Sequence, residues 1–158
     1  MGYANIINKN RREHTMKQIT KIRKAVCAMA NELVKLGYTL SKAFKTAWAR
    51  AKEGMTVKAA GVTFGNRQSL LQYIAGRKPE ELTTYLRRDK ANTFDKYAVA
   101  IVVGIKGIGY AHIGYLPKGI AQSVAVVLDN GMELQANIQV IGGYSYKETY
   151  GCLVNITV

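Results

Sequence analysis

Between Arg88 and Val99 the chain reads Arg88-Asp89-Lys90-Ala91-Asn92-Thr93-Phe94-Asp95-Lys96-Tyr97-Ala98-Val99, followed further on by Ile113-Gly114-Tyr115-Leu116-Pro117. Runs of Val, Ile, Tyr and Thr flank these words, and Gly, Asn, Asp and Lys separate them, which is the texture of strands joined by tight turns. Residues 82–88 and 97–103 are therefore expected to be strands on either side of a loop that carries Asn92, Phe94 and Asp95. Working outward, 111–116, 132–141 and 152–158 read as strands, as does 59–64 upstream. Residues 66–75 fit a helix with Asn66 as cap and Leu70, Leu71 and Ile74 inward. Residues 117–128 fit another, with Pro117 in its first turn and Ile120, Ala121, Val124 and Leu128 on the buried side. Five or six strands with two short helices predict a small barrel-like α+β domain over 59–158.

Upstream of residue 59 the texture changes. The formal net charge is +13, and thirteen of the 23 Lys and Arg lie at or before Lys58, against only Glu13, Glu32 and Glu53. That step places a boundary near Lys58, between a basic region, 1–58, and the strand-rich domain. Residues 1–12 are polar and expected to be disordered. Thr15 and Gln18 form a capping-box pattern, after which Ile19, Ile22, Val26, Met29, Leu33 and Leu36 recur at spacings of three and four up to Gly37. Lys17, Lys21 and Lys24 line up beside this seam. A second helix is expected from Thr39 or Ser41 to Gly54, burying Leu40, Ala43, Phe44, Ala47, Trp48 and Ala51 and turning Lys42, Lys45 and Lys52 outward. The two should pack as a hairpin within the chain, in preference to a dimer. Trp48 falls in the apolar stripe, so a core position outweighs a base-stacking one. The lysines have almost no compensating acid, which favours phosphate contact over an ordinary solvated face.

Other chemistry finds no support. Cys27 and Cys152 are far apart and in no metal-ligand spacing, so neither a disulfide framework nor a zinc site is expected. His14 and His112 are too isolated for a metal or a triad, and Asp89, Asp95 and Asp129 form no local nuclease-like cluster. The glycine-rich run from Gly104 to Gly109 lacks dinucleotide and P-loop spacing and reads as a hairpin turn. There is no membrane-length apolar run and no secretory pattern. The sequon Asn155-Ile156-Thr157 carries no weight without a secretion route. No enzyme activity, no cofactor and no metal are expected, and a cytoplasmic setting fits the free thiols. So large a positive charge points to a polyanion.

The words quoted at the outset, a basic residue, then Asn-x-aromatic-Asp-x-x-Ala-aliphatic, then Ile-Gly-aromatic-Leu leading into a helix, resemble the signature of the HIRAN family. Gly61-Val62-Thr63-Phe64 and the helix after it fit that family's opening, so the resemblance spans about 59–158. It implies an OB-like barrel. In a family member joined to a helicase motor, this barrel captures the 3′-hydroxyl end of single-stranded DNA. Carried over, the terminal-nucleotide pocket would use Phe64, Asn92, Phe94 and Asp95, with Arg88 as the basic residue before the motif, Tyr115 and Lys118 along the strand, and Tyr144 as a further contact. Departures occur at Thr63, where the family member has arginine, at Phe94 in place of tyrosine, and at Tyr115 in place of histidine. Leu40-Ser41-Lys42-Ala43-Phe44 and the run from Ala47 to Lys52 also resemble a short helical element of small phage and mobile-element proteins of Gram-positive bacteria.

Two readings of the loop stand side by side. Asn92 and Asp95 are turn residues that tie down their own backbone. Alternatively, Phe94 offers a ring face to a base while Asp95 accepts from a sugar hydroxyl or a base amino group. The expectation is a binder of single-stranded DNA or DNA ends, DNA in preference to RNA, with the hairpin lysines Lys17, Lys21, Lys24, Lys42 and Lys45 clamping the backbone. The alternative is an inhibitor of a host defence nuclease, docking on the enzyme or on its nucleic acid in a bacterial host cytoplasm. Neither reading involves a membrane.

Overall fold

The computed structural model describes Thr20, residues 22–144 and residues 147–157. The capping pattern at Thr15, the segment 1–12, and Lys17 and Lys21 lie outside the described residues.

Helix α1, residues 22–35, buries Ala25, Val26, Met29, Ala30 and Leu33, the expected seam widened by two alanines. Gly37, at φ 91°, ends it. Its N–H reaches Val34 O at 2.9 Å and that of Tyr38 reaches Leu33 O at 3.0 Å, the paired bonds of a Schellman stop. Helix α2, Leu40–Glu53, starts at Thr39, whose hydroxyl accepts from Lys42 N at 3.4 Å. The two helices form the expected hairpin within one chain, but the buried face of α2 is narrower than expected. Ala43 and Ala47 are buried, whereas Leu40 is 64% and Trp48 40% exposed. Alanines on both helices bring the axes close and leave a thin contact strip. Trp48, one step around the helix from Ala47, falls outside it, and Leu40 in the first turn lines a cleft with Val34. Leu36, past the end of α1, is exposed as well.

Gly54, at φ 76°, turns the chain straight into a strand, β1 (Met55–Lys58). A Cβ there would lie 2.8 Å from Thr157 Cγ2. The sequence does not announce this strand: four residues, Met-Thr-Val-Lys, are too few to display alternation. The charge step at Lys58 therefore falls after the first strand of the sheet.

The remaining strands are β2 (Leu82–Arg88), β3 (Val99–Ile105), β4 (Gly109–Tyr115), β5 (Gln135–Tyr144) and β6 (Lys147–Thr157). They match the expected strands with shifted ends, most of all for β6. The sheet runs β1-β6-β5-β2-β3-β4 and every pairing is antiparallel. The strand expected over 59–64 does not form. Ala60 alone bridges Tyr115 of β4, while Ala59 N–H bonds Cys152 O of β6 at 2.8 Å. Gly61 (φ 68°) and Gly65 (φ 57°) then take left-handed conformations that a strand cannot contain. Because Ala59 and Ala60 touch the β6 and β4 sides in turn, the sheet is curled into a half-barrel.

Helix α3 (Arg67–Ala75) follows Asn66, whose side chain makes no capping bond, and inserts Leu71 and Ile74 into the core. Helix α4 (Lys118–Asp129), with Pro117 at its N-cap, packs Ala121, Val124 and Ala125 on the sheet and Val127 on the hairpin. It is the layer through which the basic hairpin joins the sheet. Each fully buried Val, Leu or Ile here contributes on the order of 1.5–3 kcal/mol of transfer free energy. Among the described residues no helix is long and apolar enough to cross a membrane. Among the described residues the architecture is thus α+β, a curled antiparallel sheet with four α-helices.

Candidate nucleic-acid interface

The β2–β3 loop is pinned by its own side chains. Asn92 Oδ1 accepts from Phe94 N at 2.9 Å and Asp95 N at 3.0 Å, and Asp95 Oδ1 accepts from Tyr97 N at 2.8 Å. These are the turn bonds that Asn and Asp favour. Their result is that Phe94 stands out from the loop, 96% exposed. A ring presented to water on so well tied a loop is available to a flat ligand.

Arg88 does something other than the sequence led one to expect. Its side chain is only 13% exposed. Nε lies 3.1 and 3.2 Å from the two carboxylate oxygens of Asp129, Nη1 donates to Ala98 O at 2.6 Å and Nη2 to Lys96 O at 2.9 Å. The guanidinium is a strut between the loop and the end of α4. It points inward because β2 alternates, with Arg87 exposed and Arg88 turned to the core side. Its donors are consumed within the fold, so it offers little to a ligand.

Beside the loop, Tyr115 OH donates to Asp89 Oδ2 at 2.8 Å, and Asn92 Nδ2 reaches the same oxygen at 3.5 Å. The Tyr115 hydroxyl holds the Asp89 carboxyl below its ordinary range, and burial, then Asp89, raises Tyr115. Arg67 lies over the Tyr115 ring, 5.3 Å from its centroid, and donates from Nη1 to Gly61 O at 2.6 Å. His112 meets Tyr115 edge to face at 4.7 Å. Phe64, 70% exposed, lines a cleft of about 430 Å³ with Arg67, Leu70, Tyr110 and His112. Asn92, Phe94, Asp95 and Tyr115 are thus linked through Asp89, and Arg67 links Tyr115 to the Phe64 cleft. Arg67, Asp89, Tyr110 and His112 were not singled out from sequence as contacts. The alternation Tyr110-x-His112 and the spacing of Arg67 three residues after Phe64 are the signals that carry them.

The other expected contacts are more scattered. Lys118 is exposed in the first turn of α4, three residues past Tyr115, and Tyr144 is 57% exposed on the β5–β6 hairpin. Lys24, Lys42 and Lys45 are exposed on the helical hairpin, Lys42 lying 5.1 Å over the Tyr38 ring. Lys35, in the last turn of α1, pairs with the buried Glu32 at 2.6 Å. Its hydrogen bond to Glu32 and the charge of that carboxylate raise its pKa. Among the described residues no three His, Cys, Asp or Glu side chains converge as a metal site. Burial pushes the Cys152 thiol up to about 12, while Cys27 is exposed.

His112 is held below its ordinary pKa, first by burial and then by the Arg67 guanidinium, so the folded chain favours the neutral ring. Below the unfolded value of about 6.5, the unfolded chain takes up a proton that the folded one resists. Stability is therefore full above about 6.5 and declines as pH falls from there through the lower folded value; the Asp89 contribution is lost only below the carboxylate range. Thermal unfolding should occur at a lower temperature near pH ~5 than near pH ~7, and His112→Gln should narrow that difference. An unchanged difference in the variant would remove His112 from the account.

No protein-family model, no curated protein and no solved structure matches this chain.

Proposed function

We propose that this chain is a HIRAN-like nucleic-acid-binding protein whose OB-like half-barrel captures the end of a single DNA strand. The observation that carries the reading is Phe94, 96% exposed on a loop immobilised by Asn92 and Asp95. Its loop ordering is complete before a ligand arrives, so a stacking base meets a preformed face. Asp95 has one oxygen engaged by Tyr97 N. In this reading the other accepts from a terminal hydroxyl, and a carboxylate there disfavours a terminal phosphate. The protein acts by binding, without a cofactor, and the exposed lysines of α1 and α2 hold phosphates further along the strand.

The test is fluorescence polarisation with single-stranded oligonucleotides ending in a 3′-hydroxyl, a 3′-phosphate or a 5′-phosphate. Phe94→Ala with Asp95→Asn should weaken binding of the free 3′ end by about tenfold or more, from a stacking contribution of roughly 1–3 kcal/mol per base. Asn is chosen because it keeps an acceptor for Tyr97 N. Blocked ends should lose far less, and equal loss for blocked and free ends rules out a terminus pocket.

A second reading is favoured by a separate feature. A cleft of about 1030 Å³ between α1 and α4 combines Val34 and Leu40 with Arg23, Lys24 and Lys35 on its rim, and Trp48 is exposed on the same hairpin. This surface suits a protein-directed inhibitor of a host defence nuclease. Retention of a host partner after nuclease digestion of the lysate supports that reading, and its release favours nucleic acid as the bridge.

A further inference from the structure

The register of β2, β3 and β4 sets three rows on the outer face of the sheet. Thr83 pairs with Gly104 and Gly104 with Tyr110; Tyr85 with Val102 and Val102 with His112; Arg87 with Ala100 and Ala100 with Tyr115. The bulge between Ile101 and Val102 is what keeps Tyr115 on the same face as His112, although they are three residues apart. Core residues Ile101, Val103 and Ile113 point the other way. Tyr85 is 46% and Tyr110 78% exposed, and their rings meet edge to face at 6.0 Å over Gly104. A Cβ on Gly104 would come within 3.2 Å of Tyr85 and 3.3 Å of Tyr110, so glycine there lets the two rings lean together.

Tyr110 also divides two clefts. On one side are Phe64, Arg67 and His112; on the other, in about 400 Å³, are Tyr85, Gly104 and Lys106. Cations stand at both ends of this path: Arg87 in the row of Tyr115, Arg67 over the Tyr115 ring, and Lys106 beyond Tyr110. Glu80 and Glu81 border only the far cleft, and Glu81 is engaged by Arg77 at 3.7 Å and by Lys78 N at 3.0 Å. Rows on one face of a strand lie about 6.8 Å apart, two residues at ~3.4 Å each. That is twice the ~3.4 Å rise per nucleotide of a stacked duplex strand. Successive bases can reach successive rows only if the strand is extended and unstacked, which selects a single strand over a duplex.

We infer that the outer face of β2–β3–β4 is a track for single-stranded DNA, running from the Phe94 loop across Tyr115 and His112 to bases stacked on Tyr110 and Tyr85, with Arg67 and Arg87 on the phosphates. The polarity of this path rests on the reading of the Phe94 loop as a strand-end pocket; the stacking surface itself does not. Charge and continuity argue for this occupant: the face is aromatic and cationic, Val102 is its main aliphatic residue, and it adjoins the end pocket at the row of Tyr115.

Binding of a labelled dinucleotide and of an octanucleotide, each with a free or blocked 3′ end, tests the track. Tyr85→Ala with Tyr110→Ala should weaken the octanucleotide by about tenfold or more, weaken the dinucleotide far less and retain the preference for a free end. Tyr85→Phe with Tyr110→Phe keeps both rings and should bind as wild type, so the idea stays testable if the alanine variant folds poorly. Equal octanucleotide affinity in wild type and the alanine variant overturns the track while an intact end preference preserves the pocket. Loss of octanucleotide binding in a protein that never distinguishes free from blocked ends does the reverse. A phenylalanine variant as weak as the alanine one overturns stacking as the cause.

Discussion

Raising the salt from about 50 to about 200 mM is expected to weaken oligonucleotide binding by roughly a hundredfold. Each lysine that neutralises a phosphate releases a condensed counterion, and for single strands the logarithmic slope is about −0.7 per phosphate. Lys24, Lys42 and Lys45 are exposed on the hairpin, and Lys118 and Lys90 are exposed near the two ends of α4. If about five phosphates are met, the slope is roughly −3.5, and a fourfold rise in salt gives the factor stated. Replacing Lys24, Lys42 and Lys45 by glutamine should make the slope shallower by about two. The preference for a free end should survive those changes, because stacking at Phe94 releases no counterions. A slope near zero in the wild type would remove the hairpin as a clamp, and with it the phosphate contacts of Arg67 and Arg87.

Arg88→Ala is expected to lower stability by about 2–3 kcal/mol, which for a chain of this length is a fall of roughly 5–10 °C in Tm. One guanidinium reaches Asp129, Ala98 O and Lys96 O, and it is 13% exposed. Truncation leaves Lys96 O without that donor and uncouples the β2–β3 loop from α4. The loss stays below that of a fully buried pair because Asp129 is 38% exposed and Lys90 remains 3.8 Å away. Lysine at position 88 should recover less than half, since an ammonium cannot span a carboxylate and two carbonyls in the fork geometry of arginine. Calorimetric unfolding of the three proteins decides the matter. A variant that unfolds like wild type yet binds poorly would return Arg88 to the ligand surface.

Arg88 also shows where sequence reading reaches its limit. From its neighbours it looks like one more cation beside a binding loop. Its partner Asp129 is 41 residues away, on an element whose position depends on how the whole core packs. Asn92 and Asp95, by contrast, bond atoms two or three residues off, and their role in the turn was legible from spacing alone. The strand expected over 59–64 failed for a reason of the same kind. Val62, Thr63 and Phe64 favour extended backbone, but the left-handed glycines on either side serve to carry the chain around the sheet edge into α3. The helical stripe points Trp48 towards the core, yet it is 40% exposed. The width of that stripe was decided by how closely the alanines let α1 and α2 approach.

Sequence alone determined the basic step before Lys58, the helical hairpin, the alternation of strands with two short helices, and the turn that exposes Phe94. These depend on charge, periodicity and side chain to backbone bonds over a few residues. Tertiary structure alone decided that Arg88 faces inward, that Arg67 lies over Tyr115, and that Tyr85, Tyr110 and His112 share one face. Alternation tells which side of its own strand a residue occupies, but which rings become neighbours follows from register, a bulge and the curl of the sheet, and those are set by the packing of the whole core.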